Sequence, residues 1–248
     1  MASATMGQTS LEKSLKYSIL TPSRNRPARL KTFVQSVYSL CAYPHNVEIS
    51  VYVDTDDPAI AQYKQLEWNT EIPHNVQFVY GEPVSISKSW NTLAEQCSGD
   101  VFIMGNDDLE YRTQDWDIQL QTELEKYPDQ IYCAWMQDCI NGEKHCAFPI
   151  ISRKWYDTVG YFAPGVFNFG YNDTWVFDIA KRVDRCHYIP HITAEHCHFS
   201  ANKSAFDDTY ARNRTQQRGN LYALDKVIYE QTASQRQADA DKLRELCE

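Results

Sequence analysis

Two adjacent carboxylates, Asp107 and Asp108, follow a fully apolar run, Val101–Met104. Such a run is typical of a central parallel strand, because both faces of that strand are buried. The strand would deliver Gly105, Asn106 and the two acids to an exposed tip, where the like charges repel each other. A divalent cation held by oxygen ligands removes that repulsion, and a carboxylate pair together with diphosphate oxygens suits Mg²⁺ or Mn²⁺. The alternative is a solvated turn that merely ends the strand.

A second acidic tip follows the alternating run Val47–Asp54, which predicts a strand. Asp54 ends this strand, and Asp56 and Asp57 come directly behind it. An earlier apolar run, Tyr17–Thr21, predicts another strand. The residues after it include basic side chains that could meet diphosphate oxygens or simply lie on an exposed helix start: Arg24, Arg26 and Arg29.

Histidines and cysteines alternate in a later segment, RCHYIPHITAEHCHF, which contains His187, His191, His196 and His198. A closed structural zinc site is not expected there, because no C-x₂-C pair is present and neighbours along a strand point to opposite faces. The chain has 8 cysteines without paired spacing. This pattern favours a reducing, cytoplasmic environment over a disulfide scaffold.

The elements that must position these residues alternate along the first half of the chain. Helices are predicted between the strands, over Ala28–Cys41, Ala59–Trp68 and Ser87–Cys97, and Val76–Tyr80 predicts a further strand. Alternating strands and helices imply right-handed βαβ units, and therefore an α/β domain with a mostly parallel central sheet and helices on both faces. Ligands of such sheets bind beyond the carboxyl ends of the strands, so both acidic tips should lie at one site.

The second half is less regular. We predict a helix over Asp115–Tyr127, a short helix capped by Ser152 and closed by Gly160, a helix that Asn172 can cap, a strand over Cys186–Thr193, and a helix from about Leu221. No linker or repeat divides the chain. We therefore expect a flexible leader over residues 1–15, one domain over 16–215, and a C-terminal helix over 216–248.

Composition excludes several classes of protein. The 24 Lys and Arg against 33 Asp and Glu give a net charge of -9, which argues against a sequence-independent grip on a polyanion. No apolar run approaches the roughly 18 residues needed to span a bilayer, and the N-terminal residues do not have the apolar core of a secretion signal. We therefore predict no membrane span and a cytoplasmic location, the host cytoplasm if the protein is encoded by a phage.

The motifs TPSRNRP, VEISVYVDTDD, SWN and VFIMGNDD, in this order and spacing, resemble those of nucleotide-sugar glycosyltransferases with the GT-A (Rossmann-like) fold, specifically family 2-like enzymes. The resemblance covers about Tyr17–Phe199, and it implies a nucleotide-binding half over about 16–110 and an acceptor half over about 111–215. It implies an inverting transferase that uses Mn²⁺ or Mg²⁺ and moves a sugar from a nucleotide-diphospho-sugar, first of all a UDP-sugar, to a hydroxyl acceptor.

The resemblance also assigns residues to the donor and metal sites. It implies that the nucleotide base is contacted by Thr21, Pro22, Arg24 and Asp54, and it adds Asn91 of the Ser89–Asn91 segment. The D-x-D motif maps onto Asn106, Asp107 and Asp108. Asn106 replaces the first acid of that motif, or Gly105 does if the register shifts by one, and Asp108 is the best metal ligand in either register, followed by Asp107. His196 is expected to be the third ligand, with His198 as its substitute on the same strand face.

A later segment, ISRKWYDTVGYFAPGVFNFGYNDTWVFDIAKR, resembles the acceptor loop and base helix of the same family. Asp173 then becomes the catalytic base that deprotonates the acceptor. In the alternative interpretation, Asn172 is only an N-cap and Asp173 only complements the helix dipole.

The acceptor and the assembly stay open at this stage. A saccharide or a hydroxymethylated DNA base is compatible with a compact bacterial or phage enzyme, and the C-terminal helix could mediate a homodimer. Two other functions remain as alternatives. A nucleotidyltransferase would be expected to carry a glycine-rich phosphate loop after its first strand, and SRNRP has no glycine. A non-catalytic nucleotide-sugar-binding module would explain the altered D-x-D motif.

Overall fold

A computed structural model of the protein describes residues 14–67, 75–214 and 220–247. In these residues the chain forms one eight-stranded sheet in the order β3-β2-β1-β4-β7-β6-β8-β5. The strands are β1 (Tyr17–Ser23), β2 (Val47–Asp54), β3 (Val76–Gly81), β4 (Val101–Met104), β5 (Leu109–Tyr111), β6 (Cys133–Gln137), β7 (Ile150–Ser152) and β8 (Cys186–His196).

The half of the sheet that carries the acidic tips is parallel. β1 lies between β2 and β4 and runs parallel to both, and β3 extends the same arrangement beyond β2. Beyond β4, the short strand β7 is antiparallel to its neighbours, while β6 and β8 are parallel to each other. The carboxyl ends of β1, β2 and β4 therefore meet at one edge, as predicted.

Helices cover both faces of the sheet. They are α1 (Pro27–Ser39), α2 (Ile60–Glu67), α3 (Ile86–Gln96), α4 (Trp116–Leu124), α5 (Arg153–Val159), α6 (Asn172–Arg182), α7 (Asp208–Arg214), α8 (Leu221–Gln231) and α9 (Ala233–Arg244). One core packs α1, α2 and α4 against the face that carries Ile19. The other packs α3, α5, α6 and α9 against the face that carries Leu20. The two neighbouring β1 residues point to opposite faces, as a strand requires, and the predicted α/β fold is confirmed.

Several predicted boundaries need correction in the second half. β8 extends to His196 rather than ending at Thr193. Ser152 caps α5 through Trp155 N, as predicted, but Asn172 does not cap α6, because Tyr171 holds that position and the Asn172 side chain accepts a hydrogen bond from Ser87 Oγ instead (2.6 Å).

The C-terminal segment forms two helices, α8 and α9, instead of the single one expected. α9 is anchored to α6 by an ion pair between Arg236 and Asp178 (2.6 Å). Residues 1–13 of the expected leader, residues 216–219 of the expected helix, and Trp68 lie outside the described residues. The division into nucleotide-binding and acceptor halves stays a prediction.

None of the helices within the described ranges is long and apolar enough to cross a membrane. On α8, three large apolar side chains are about half exposed: Tyr222, Leu224 and Val227. The possible homodimer through this region remains a prediction.

Candidate functional site

A cavity of about 710 Å³ lies beyond the carboxyl ends of β1, β2 and β4. This volume is within the range of small-molecule sites. Predicted site residues that line it are Pro22, Arg24, Asp54, Asn106, Asp107, Asp108, His196 and His198. The topology thus brings together residues from most of the length of the chain. We call this space the donor cavity, after the donor site that the sequence resemblance predicts for these residues.

The outer part of the donor cavity carries the acidic end of β2. Arg24 donates a hydrogen bond to Asp54 Oδ2 (2.7 Å) and also pairs with Asp56. Burial raises the pKa of Asp54, and the Arg24 guanidinium acts in the opposite direction. Arg212 of α7 approaches the same carboxylate, with Nη1 3.8 Å from Asp54 Oδ2. Asp54 is therefore held in place by two arginines from opposite ends of the chain.

The inner part carries the carboxylate pair, which is buried. The side chains of Asp107 and Asp108 are 3% and 1% exposed. Arg26 Nη1 lies 3.1 Å from Asp107 Oδ1 and 3.8 Å from Asp108 Oδ2, and its own side chain is 5% exposed. Ser23 Oγ donates to Asp107 Oδ2 (2.7 Å). An arginine of the chain thus neutralises the charge for which we expected a cation.

Asp207, just before α7, and Tyr210, within α7, cover this cluster. Arg26 makes a two-pronged ion pair with Asp207, through Nε (2.8 Å) and Nη2 (2.7 Å). The Tyr210 hydroxyl donates to Asp108 Oδ2 (2.7 Å), and the Tyr210 ring lies 4.0 Å from the Arg26 guanidinium carbon. Bidentate guanidinium–carboxylate contacts are the stronger kind of ion pair, so α7 is fastened over the inner end of the donor cavity.

The two carboxylates differ in how readily they ionise. Burial raises the pKa of Asp107 to about 6, despite the opposing effect of Arg26. Burial acts in the same direction on Asp108, but His196, the Tyr210 hydroxyl and Arg26 outweigh it, so its pKa is lowered. The pKa values of two carboxyl groups that share a site are expected to diverge in this way, because their like charges repel each other.

A divalent cation fits one corner of this cluster. Asp108 Oδ1 and His196 Nε2 lie 3.4 Å apart, and neither of these buried atoms has a hydrogen-bond partner among the described residues. An oxygen and an imidazole nitrogen that face each other in this way can share a metal ion. The imidazole favours a transition ion such as Mn²⁺ over Mg²⁺, which prefers oxygen ligands.

The protein does not supply a complete ligand set for that ion. Within the ranges that the structure describes, no group of three or more His, Cys, Asp or Glu residues is arranged to hold a metal. Ions bound with substrate phosphates commonly take only one or two carboxylates from the protein and keep several waters. The residues therefore fit a cation that arrives with a diphosphate better than one held permanently.

The glycine of the acidic tip bears on the register of the D-x-D motif. A Cβ atom on Gly105 would lie 2.2 Å from Thr21 Oγ1 and 2.8 Å from Ile19 Cγ2. No acidic side chain fits at this position, because the backbone is pressed against β1. Asn106 lines the cavity, so the register with Asn106 as the first residue of the motif is favoured.

Three predicted residues lie elsewhere than the resemblance implied. Thr21 is fully buried beneath Gly105. Asn91 binds the backbone of the loop after α5, accepting from Phe162 N and Ala163 N. His198 does not lie on the strand with His196, because β8 ends at His196; its Nδ1 lies 2.7 Å from Ser200 Oγ and caps a short 3₁₀ turn. Thr21 is thus packed beneath the acidic tip and Asn91 holds a loop, and His196 is the better placed histidine.

A second cavity of about 460 Å³ adjoins the first. The two share five lining residues: Ile86, Asn106, Phe169, His196 and His198. Asp173, in the first turn of α6, lines the second cavity, and its Oδ2 lies 2.7 Å from His145 Nε2. We call this space the acceptor cavity, after the predicted role of Asp173 as the base that deprotonates the acceptor. The candidate base, Asp173, and the carboxylate pair thus lie in neighbouring cavities, on either side of the residues that line both.

Several residues of the site were not found by sequence reasoning. Asp207 and Tyr210 reach the cluster from 181 and 102 residues away from their partners Arg26 and Asp108. His145 follows the turn after β6 and reaches Asp173 across 28 residues. No local pattern marks these residues, because each meets its partner only when the sheet has formed.

Comparison with known proteins identifies the family. The profile of glycosyl transferase family 2 matches residues 18–206. The chain belongs to this family. Family membership places it among the glycosyltransferases and confirms the resemblance drawn from the sequence motifs.

One curated relative is similar over part of the chain. The O-antigen biosynthesis protein RfbC of Myxococcus xanthus is 27% identical over 111 residues, which are 45% of this chain and 8% of that protein. The match spans only a small part of that relative.

Solved structures share the fold. A mannosyltransferase from Pyrobaculum calidifontis, PcManGT, in complex with GDP-Man and Mn²⁺, has a TM-score of 0.58 at 12% identity. The matched region is 74% of this chain and 57% of the mannosyltransferase chain. S. aureus TarS 1-349 in complex with UDP-GlcNAc has a TM-score of 0.56 at 11% identity and covers 79% and 63%. These similarities confirm the GT-A fold, and the chain spans about three fifths of each of these two neighbours.

Proposed function

We propose that this protein transfers a sugar from a nucleotide-diphospho-sugar to a hydroxyl acceptor, with inversion at the anomeric carbon and with the help of Mn²⁺ or Mg²⁺. The observation that carries the proposal is the junction of the two cavities. A carboxylate pair lies at the inner end of one, a partly exposed carboxylate lies in the other, and Asn106 and His196 line both.

The donor cavity has the features that a nucleotide-sugar needs. Asp54 and Arg24 offer an acceptor and donors of hydrogen bonds to the base and ribose at its outer end. A UDP-sugar is our first choice of donor. The two fold neighbours were solved with GDP-Man and with UDP-GlcNAc, which makes a GDP-sugar the second.

The cation would be held by Asp108 and His196, with Asp107 as a further ligand once Arg26 releases it. When bound, it supplies positive charge that stabilises the departing diphosphate. Arg26 itself lines the donor cavity, so its guanidinium can bind diphosphate oxygens after it leaves the carboxylates.

Asp173 is the proposed base. Its carboxylate takes the proton of the acceptor hydroxyl, and the acceptor oxygen bonds to the anomeric carbon from the face opposite the nucleotide. The bond between that carbon and the phosphate oxygen breaks, and its electron pair leaves with the nucleoside diphosphate. The proton remains on Asp173 until solvent removes it.

The acceptor cavity favours a saccharide. Aromatic side chains that can stack on sugar rings line it: Phe148, Phe169 and Tyr222. A hydroxymethylated DNA base is the second choice, because the net charge of -9 opposes the approach of a polyanion.

A thermal-shift panel of nucleoside diphosphates and nucleotide-sugars, each with and without Mn²⁺ or Mg²⁺, tests the proposal. A ligand that binds only the folded state raises the melting temperature, and we expect a metal-dependent rise with one nucleotide class. Absence of any shift would overturn the proposal. Binding without turnover of the donor, including slow hydrolysis, would instead support the non-catalytic binding module.

A further inference from the structure

His145 and Asp173 form a close pair in the acceptor cavity. His145 Nε2 lies 2.7 Å from Asp173 Oδ2, and the two side chains are 31% and 29% exposed. The other carboxylate oxygen, Oδ1, accepts a long hydrogen bond from the neighbouring Thr174 hydroxyl (3.3 Å). One oxygen of the candidate base is thus held firmly, while the other is only weakly engaged.

The loop that carries His145 is itself well anchored. Asp138, which is buried, accepts hydrogen bonds at Oδ1 from the backbone amides of Ile140, Asn141 and Gly142 (2.7 to 3.0 Å). A short 3₁₀ turn, Gly142–Lys144, then leads into His145. The residue that follows His145, Cys146, is fully buried. The backbone on both sides of the histidine is therefore fixed.

The imidazole ring is also fixed by packing. It meets the Phe177 ring edge to face, with centroids 5.6 Å apart and planes at 80°. Phe177 lies one turn after Asp173 on α6, and it packs in turn against Trp135 of β6. The same helix thus supplies both the carboxylate and the surface that orients the histidine toward it.

We propose that His145 is a positioning residue for the base: its Nε2–H donates to Asp173 Oδ2 and turns Oδ1 toward the acceptor hydroxyl. The proposal rests on the proposed transferase function. His145 does not touch the reacting atoms, and the proton of the acceptor goes to Oδ1.

The charges around the histidine favour this division of roles over one in which the histidine is the base. The hydrogen bond that His145 makes to Asp173 raises the pKa of His145; burial opposes this, Lys181 opposes it as well, and Asp138 adds to it. An imidazole that holds its proton more tightly donates a hydrogen bond but cannot accept the acceptor's proton.

The first experiment does not need activity. An NMR titration of the imidazole signals should give His145 a pKa above the usual 6.5 or so, and Asp173→Asn should bring it down. If the titration of His145 is the same in both proteins, the pair does not exist in solution and the proposal is overturned.

The second experiment measures turnover of a panel of UDP- and GDP-sugars, with water as the acceptor, against pH. We expect His145→Ala to lower kcat by about 10- to 100-fold, as for a misplaced catalytic group, with an unchanged KM for the donor and the acidic limb of the pH profile moved upward. His145→Gln, whose amide NH₂ can reach the position of Nε2–H, should restore most of the rate. His191→Ala, an exposed histidine on β8, is the matched control and should behave as wild type.

The outcomes separate the two proposals. An active wild type with an unchanged rate and pH profile in His145→Ala would overturn the positioning role alone. Loss of rate in both His145→Ala and His145→Gln, with no change in the pH profile, would overturn it too, since it would indicate a purely structural contact. A wild type that turns over no donor, with the pair intact by NMR, would overturn the transferase function and, with it, any catalytic role of the pair.

Discussion

Replacing Arg26 with Met should destabilise the protein strongly and make its stability depend on a divalent cation. The substitution keeps most of the aliphatic stem but removes the guanidinium that lies against Asp107 and Asp108, both less than 5% exposed. Removing one partner of a buried ion pair typically costs about 3–5 kcal/mol. For a chain of this size, that corresponds to a fall in melting temperature of about 6–20 °C.

The measurement is thermal unfolding at pH 8 with and without Mn²⁺. Burial raises the pKa of Asp107, and loss of Arg26, whose charge lowers that pKa, raises it further. An alkaline pH is therefore used, because it favours ionisation of both acids and hence their repulsion. Mn²⁺ at a concentration of 100 times its dissociation constant should raise the free energy of unfolding of the variant by about 2.7 kcal/mol. The wild type should respond less, because Arg26 competes with the ion for the same carboxylates.

Arg244→Met is the matched control. Arg244 and its partner Asp241 are 50% and 55% exposed, and exposed ion pairs contribute about 0–1 kcal/mol, so a shift below about 4 °C is expected. If the melting temperature of Arg26→Met falls by less than about 4 °C, and if Mn²⁺ raises it no more than it raises that of the wild type, then Arg26 does not neutralise the carboxylate pair, and the reasoning is refuted.

Four further predictions follow from the site. Asp108→Asn should weaken the metal-dependent part of nucleotide binding in calorimetry, and unchanged binding of UDP with Mn²⁺ would remove Asp108 from the site. Asp173→Asn should leave donor binding intact and lower the rate of transfer by at least about 10²-fold, as for loss of a general base; a variant that kept its rate would assign the base elsewhere. Gly105→Ala should lower the free energy of unfolding by about 1–3 kcal/mol through overpacking, since the new Cβ would lie 2.2 Å from Thr21 Oγ1. Gly165→Ala is the control, because its Cβ would meet no atom within 4 Å. Equal melting temperatures of the two variants would contradict the close approach at Gly105. His145→Gln should have a lower melting temperature than the wild type mainly at acidic pH. Because the folded-state pKa of His145 is raised, the stability that this histidine contributes is complete below about pH 6.5 and is lost as the pH rises through the folded-state pKa. A gap in melting temperature that widens with pH would contradict that sign.

The local patterns of the sequence predicted the elements and the sheet edge at which the site lies. The alternation of Val47–Asp54 and the helical spacing of Leu30, Phe33 and Val37 depend only on neighbouring residues, and all these apolar side chains are buried as expected. The parallel order of β1, β2 and β4 then brought Asp54 and Asp108 to one cavity.

The partners of the carboxylates were decided by the tertiary structure. In the antiparallel pairing of β5 with β8, Leu109 lies opposite His196, and this register brings His196 to Asp108. A shift of that register by one residue would have turned the histidine to the other face. The sequence alone put His196 first and kept His198 as its substitute, because spacing along a strand does not reveal which strand will pair with it.

The residues that close the site depend on contacts still more distant in sequence. Arg26, for which the sequence left open a contact with diphosphate oxygens or a place on an exposed helix start, is buried between the carboxylate pair and Asp207. Tyr210 reaches Asp108 from α7. Composition and periodicity determined that this is an α/β protein with acidic strand ends. Which charges neutralise those acids depends on where α7 and β8 return to the sheet, and only the folded chain fixes that, because burial and like-charge repulsion act on residues that are neighbours in space rather than in sequence.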